Sequence, residues 1–238
     1  MTAPTLIHPP RGPHRPNPVS AGFHRLEEGT LGSLELRLEF VRNALALFQP
    51  MSLLELGTDA GLCDRLSREG HAVYSSPVAQ AGSAGFPVQV QRIVGVTRYY
   101  GYGEVTTLDS TLPSLAGRLT PWGWLGLKIL DRDKINDWLP EEEILHRNGA
   151  WYRLQFRFDK RSGVLSVVSR NLEQPGGQSH LYSQLRLRAY SATEMEANLA
   201  HAGLRVEAVF GGWNAEGLDE SGKALWLVAR RAPTGPRR

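Results

Sequence analysis

Residues 53–61 read Leu-Leu-Glu-Leu-Gly-Thr-Asp-Ala-Gly, and the reading of the fold starts there. The short apolar run Ser52–Leu56 stops at Gly57. A run of that length before a glycine reads as a buried parallel strand. Residues 60–69 read as a helix, with Gly70 as the residue just past its end. His71–Tyr74 reads as a second strand. A glycine-bearing turn between strand and helix can bring backbone N–H groups and a helix N-terminus to a ligand. Gly57 and Gly61 alone would also suit an ordinary turn.

Upstream, Leu34, Leu36, Leu38, Phe40, Val41, Ala44 and Leu47 give a helical pattern that ends at Gln49-Pro50. Six of the 15 prolines fall in residues 1–18, where no packed element can form. Residues 1–22 are therefore expected to be a disordered Pro-rich arm. Downstream, 78–87 reads as loop, Val88–Val96 as strand, 99–103 (YYGYG) as turn and Thr111–Leu119 as helix. Pro121-Trp122-Gly123 reads as a turn before a strand, Trp124–Leu130. Glu141-Glu142-Glu143 with His146 reads as a solvated acidic helix start, since acids suit that end.

From Trp151 the period becomes two. Trp151–Phe158 and Val164–Arg170 flank Lys160-Arg161-Ser162-Gly163, a hairpin signal, and Ser179–Arg188 alternates as a third strand. Ser191-Ala-Thr-Glu194 matches a capping box before helix 192–202, which Gly203 closes. Leu204–Phe210 and Ala224–Arg230 are the last strands. The order predicts an α/β fold: a mostly parallel sheet, with an antiparallel hairpin layer (151–189) inserted before the last helix and strands. One domain, 23–231, is expected between the arm and a flexible basic tail, 232–238.

Composition narrows the classes. The chain has 238 residues, 41% hydrophobic and 21% charged, which is ordinary globular usage and excludes a wholly disordered or collagen-like chain. No apolar run approaches the roughly 18 residues of a membrane span. The first residues lack the apolar stretch of a secretory signal. A cytoplasmic protein without a membrane partner is expected. The net charge of +3 sits in the ends: Arg11 and Arg15 before residue 23, Arg231, Arg237 and Arg238 after residue 230, with −2 between. Nucleic acid is thus expected to touch only the tails, weakly.

The single cysteine, Cys63, excludes an internal disulfide. It reads as a small buried residue rather than a reactive thiol. The histidines show no pair at zinc spacing, and no metal is expected. Neither a phosphate-binding P-loop nor a Gly-x-Ser-x-Gly elbow occurs. The arginines of 153–188 alternate as on the exposed face of an antiparallel sheet; the sharper reading is an acidic or nucleic-acid partner.

The chain resembles class I S-adenosylmethionine-dependent methyltransferases of the bacterial small-molecule type, from about Leu34 to Arg231. Glu-Leu-Gly-Thr-Asp-Ala-Gly (55–61) resembles their acidic-x-Gly-x-Gly-x-Gly motif. YYGYG resembles their aromatic-Gly-Tyr loop, and Leu119-Thr-Pro121-Trp-Gly123 their Leu-x-Pro-Gly-Gly turn. Phe156–Asp159, Leu187–Ser191, Ala202–Gly211 and Leu225–Arg231 follow at similar spacing.

The resemblance implies a Rossmann-like methyltransferase fold and S-adenosylmethionine as cofactor. Glu55, Gly57, Thr58, Asp59, Gly61, Ser75 and Ser76 would bind it, Glu55 supporting the methionine ammonium directly or through the loop. Tyr100 and Tyr102 would face the methyl group and substrate. Trp151, Tyr152, Tyr182, Arg188 or Tyr190 would approach a small-molecule acceptor. No catalytic base is identified.

Three departures mark the cofactor end. Asp59 replaces the middle glycine, and like charges at about 4 Å cost about 4 kcal/mol at an effective dielectric of 20. Ser75 or Ser76 stands where the family ends its second strand with an acid that binds ribose. A charged hydrogen bond is worth about 1.5–3 kcal/mol. Segment 78–87 is too short for the helix and strand the family places there. These departures carry the alternative function: a non-catalytic methyltransferase-like subunit of a complex, with a protein partner.

Overall fold

A computed structural model describes residues 32–57, 59–76, 89–100, 108–147, 149–173, 175, 177–215, 217 and 222–231; for 97–100, 108–110 and 147 it describes the backbone alone. The expected arm 1–22, the tail 232–238, segment 78–87, Thr58 and Tyr102 lie outside the described residues.

The main sheet is built around β1, Ser52–Glu55, which pairs in parallel with β2 (Ala72–Ser75) and β3 (Val90–Tyr100). Helix α1, Leu34–Ala44, precedes β1, and α2, Ala60–Arg68, links β1 to β2. Among the described residues, β2 pairs with β1 alone. After α3 (Leu108–Arg118), β4 (Leu119–Asp131) pairs in parallel with β3. The last strand, β10 (Ala224–Arg231), lies antiparallel between β4 and β9 (Leu204–Phe210). The order across the sheet is β2-β1-β3-β4-β10-β9, and only β10 runs against the rest.

Beyond β4, the short helix α4 (Ile135–Trp138) leads into an antiparallel layer: β5 (Glu142–Arg147), β6 (Ala150–Asp159), β7 (Val164–Leu172) and β8 (Ser179–Tyr190). Leu130 and Asp131 at the end of β4 pair with Ala189 and Tyr190, so this layer hangs from the tip of the main sheet. Helix α5 (Ala192–His201) follows.

Local chemistry sets the boundaries. The Ser33 hydroxyl accepts from Leu36 N–H at 3.2 Å and opens α1. The expected capping box closes on α5, Ser191 and Glu194 bonding each other's backbone N–H. Burial pushes the Glu194 carboxyl up, but the Ser191 N–H and the Arg132 guanidinium outweigh it and hold it below its usual range. Gly163 turns the β6–β7 hairpin at φ 69°, and a Cβ there would lie 2.9 Å from the Ala189 carbonyl oxygen.

Two readings change. The acidic segment is strand β5, not a helix start, because Ile144 and Leu145 ladder against Arg153 and Tyr152. Pairing with β6 overrides the preference of acids for a helix N-terminus. Glu143 and His146 then point to opposite faces. Pro121-Trp122-Gly123 is a bulge inside β4: Val90 faces Leu119, Arg92 faces Trp124, and Trp122 takes φ 67°.

Both faces of the main sheet are covered. On one, α1 and the inner face of the layer pack with Val94, Val96, Leu130, Trp226 and Val228. On the other, α3 and α5 residues such as Leu115 and Leu199 pack with Ile93, Leu125, Leu127 and Leu227.

Candidate functional site

The strand-to-helix turn after β1 is organised by a buried charge. Glu55 ends β1 with its side chain fully buried. Its Oε2 accepts from the Asp59 N–H at 3.2 Å and from the Ser75 hydroxyl at 3.1 Å. The Cys63 Sγ lies 3.9 Å from the same oxygen. The register that sets Glu55 beside Ser75 in the parallel pair makes this possible. Ser76 N–H donates to the Glu55 carbonyl at 2.9 Å, extending the pairing by one residue. Gly57, also buried, sits in the turn held this way.

Asp59 does not leave its charge uncompensated beside the loop. It is the N-cap of α2, accepting from Leu62 N–H at 3.1 Å. Its other oxygen meets Arg37 Nη2 of α1 at 3.2 Å. A cap of this type is worth about 0.5–2 kcal/mol. The helix therefore needs the residue that departs from the family's glycine. A Cβ on Gly61 would meet Asp59 Oδ1 at 3.5 Å and Leu34 at 3.8 Å, ordinary contacts that packing tolerates. Burial, and then the charge of Glu55, push the Cys63 thiol up to about 12. At neutral pH it is a thiol that supports Glu55, not a nucleophile.

The start of the same unit is pinned by His71, whose Nδ1 accepts from Met51 N–H at 3.3 Å. Burial lowers its pKa. Arg42 of α1 binds both oxygens of Glu69 at the end of α2.

The predicted acceptor residues separate. Tyr152 and Tyr182 come together, ring centres 5.2 Å apart, and Tyr152 packs on the core shared by the layer and the main sheet. Trp151 stacks instead on His146 at 4.6 Å. Arg188 alternates with buried Leu187 and Ala189, which puts it on the outward face of β8. There it covers the Tyr190 ring at 5.1 Å. Tyr190 belongs to the core on the far side of the main sheet, with Met195 and Leu199 of α5. Tyr100 ends β3 beside Ile129 of β4. Of the arginines along the layer, Arg157, Arg161 and Arg186 are exposed, while Arg153, Arg170 and Arg188 are half-buried.

Sequence reading missed Arg37 and Lys128. Arg37 lies 22 positions before its partner Asp59, and no local pattern links them. Lys128 of β4 and Trp226 of β10 are cross-strand neighbours, and both are buried in the main sheet. Lys128 sits inside an apolar run that gives no sign of its charge. Among the described residues, no group of three His, Cys, Asp or Glu side chains could hold a metal ion, and no helix is long and apolar enough to cross a membrane.

No protein-family model matches the sequence, and no curated protein does. Solved structures do. An S-adenosylmethionine-dependent methyltransferase from Clostridium acetobutylicum superposes with TM-score 0.65 at 10% identity, covering 89% of this chain and 98% of that one. The CcbJ methyltransferase from Streptomyces caelestis matches at 0.61 and 17%, covering 84% and 91%. The sugar N-methyltransferase KedS8 from Streptoalloteichus matches at 0.59 and 14%, covering 98% and 99%. At these identities the likeness shows the fold: the chain has the Rossmann-like architecture of class I S-adenosylmethionine-dependent methyltransferases.

Proposed function

We propose that this protein is a cytoplasmic S-adenosylmethionine-dependent methyltransferase acting on a small-molecule acceptor. The fold likeness supports the class. The observation that carries the reading is the β1–α2 turn: a buried Glu55 holds the loop by the Asp59 N–H, and Arg37 compensates Asp59. The like-charge conflict expected at Asp59 is thereby relieved. The residues present fit the amino-acid end of the cofactor. When bound, S-adenosylmethionine supplies a methyl group on a positively charged sulfur.

Glu55 fixes the loop against the methionine ammonium, and Gly57 leaves the backbone open to close approach. Ser75 and Ser76 face the ribose with hydroxyls alone. Tyr152 with Tyr182 borders the acceptor and excludes water from the in-line displacement.

A second reading has its own observation. The Ser75 hydroxyl is already engaged by Glu55, and β2 ends without an acid. That suits a methyltransferase-like subunit without catalysis, bound to a protein partner.

Calorimetric titration with S-adenosylmethionine and S-adenosylhomocysteine, with thermal melting alongside, decides between them. A ligand at about 100 times its Kd stabilises by about 2.7 kcal/mol. Micromolar binding sustains the enzyme. Absence of binding at millimolar ligand overturns it and leaves the subunit.

A further inference from the structure

The starting edge of the main sheet, away from the strand tips that carry Glu55, holds an arginine with no acid. Arg230, near the end of β10, has its guanidinium carbon 4.6 Å from the Trp122 ring centre and 5.4 Å from that of Trp124. Among the described residues it makes no ion pair and no side-chain hydrogen bond, and its Nε is buried without a partner. Two indoles thus hold the guanidinium by cation–π contact. The terminal N–H groups stay available as a fork for an oxyanion.

A second guanidinium stands in the same row. Arg92 of β3 and Arg230 of β10 both face Trp124 in register. The Arg92 N–H groups go to the carbonyls of Leu45, Gln91 and Ala46, so its charge too meets no carboxylate. Burial, and then the charge of Arg230, lower its pKa. Arg231 likewise spends its donors on the carbonyls of Gly117 and Leu119. Arg205, opposite Arg230 on β9, bonds an acid, Glu207, at 2.7 Å.

Apolar surface and backbone strain gather at the same edge. Trp122 is 52% exposed, and Phe48, two residues past the Ala46 carbonyl that Arg92 holds, is 81% exposed. Trp122 and Ala46 have φ of 67° and 51°, uncommon for residues other than glycine. Ala46 takes this conformation as the residue that closes α1, with Leu47 N–H donating to the Arg42 carbonyl at 2.8 Å, and Trp122 takes it in the bulge of β4.

We infer that this edge is a second ligand site, for a doubly charged phosphate joined to a flat ring, as in a free nucleoside monophosphate. Arg230 takes the phosphate, Arg92 adds positive potential behind it, and the uncovered side of Trp122 stacks on the ring. A phosphate monoester carries about −1.5 to −2 at neutral pH, matching two guanidinium charges. An exposed indole stacks any base.

The test uses the full chain and calorimetry with uridine monophosphate, uridine and inorganic phosphate. Uridine monophosphate is expected to bind at least tenfold more tightly than either part. Arg230→Gln should weaken it at least tenfold. Trp122→Gly, which keeps the left-handed backbone without strain, should reduce it to the level of inorganic phosphate. Because Trp122 is exposed, this variant carries the test even if Arg230→Gln fails to fold. S-adenosylhomocysteine should not compete, which separates the site from the β1–α2 turn. Equal binding of phosphate and nucleotide, an unchanged Trp122→Gly variant, or displacement by S-adenosylhomocysteine would each overturn the inference.

Discussion

The main sheet and the antiparallel layer handle charge in opposite ways. The main sheet is covered on both faces, and it takes charged residues inside: Glu55, Lys128 and Asp131 are each 4% exposed or less. A buried charge must be paired or used, and the Glu55 network shows one being used to shape a loop. The layer is covered on one face only. Its arginines stand outside, while Leu154, Phe156, Leu165 and Leu187 face in. The chemistry of this protein is therefore to be sought among the buried charges, not along the more conspicuous arginine ladder.

The sharpest break between the regions is in stability. Leu127→Ala empties a fully packed position over Gly95 and should cost about 2–5 kcal/mol in chemical denaturation. A loss below 1 kcal/mol would mean that the main sheet is loosely packed. Next comes Gly95→Ala. Its new Cβ would lie 2.8 Å from Leu127 Cδ2, so about 1–3 kcal/mol should be lost to overpacking.

Arg37→Leu bears on the turn itself. Freed of its partner, Asp59 should repel the cofactor carboxylate and weaken binding about tenfold, or about 1.4 kcal/mol. Adding Asp59→Asn should restore the affinity. Calorimetry on the two variants reads this directly, and unchanged binding in Arg37→Leu would detach the ion pair from the site.

Acid should act on the β1–α2–β2 unit before the layer. The buried His71 has a folded pKa below its usual value, so the unfolded chain takes up the proton first. Its contribution is present above about pH 6.5, the unfolded value, and is lost as pH falls below it. Glu69, held down mainly by its bond to Arg42, adds a further loss only below the usual carboxylate range. Denaturation series from pH 8 to 4 should show the first loss in the wild type and not in His71→Gln. The smallest effect belongs to the outward face: Arg186→Ser should shift stability by no more than about 0.5 kcal/mol.

Local signals were legible in the sequence. Gly70 past α2, the Lys160–Gly163 hairpin and the Ser191/Glu194 box each act within a few residues, and each forms as expected. The fold class followed from their order. Contacts distant in sequence were not legible. Glu142 and Glu143 gave no hint that β6 would recruit them into a strand. Asp59 looked like a defect until α1 brought Arg37 to it. The alternation along β8 did contain the answer for Arg188, since Leu185, Leu187 and Ala189 occupy the inner face and leave it the outer one.

The position of β10 has a consequence for how the chain reaches this state. It does not lie at an edge of the sheet but between β4 and β9, both of which precede it. Until residues 224–231 have left the ribosome, those two strands each present an open row of N–H and C=O groups. The edge of β4, complete at Asp131, waits the longer, while that of β9, complete at Phe210, waits only for the short connection to Ala224. The closing step is the addition of one apolar strand to the waiting β4 edge, with β9 joined to the sheet through it, a late event on which solubility during production depends.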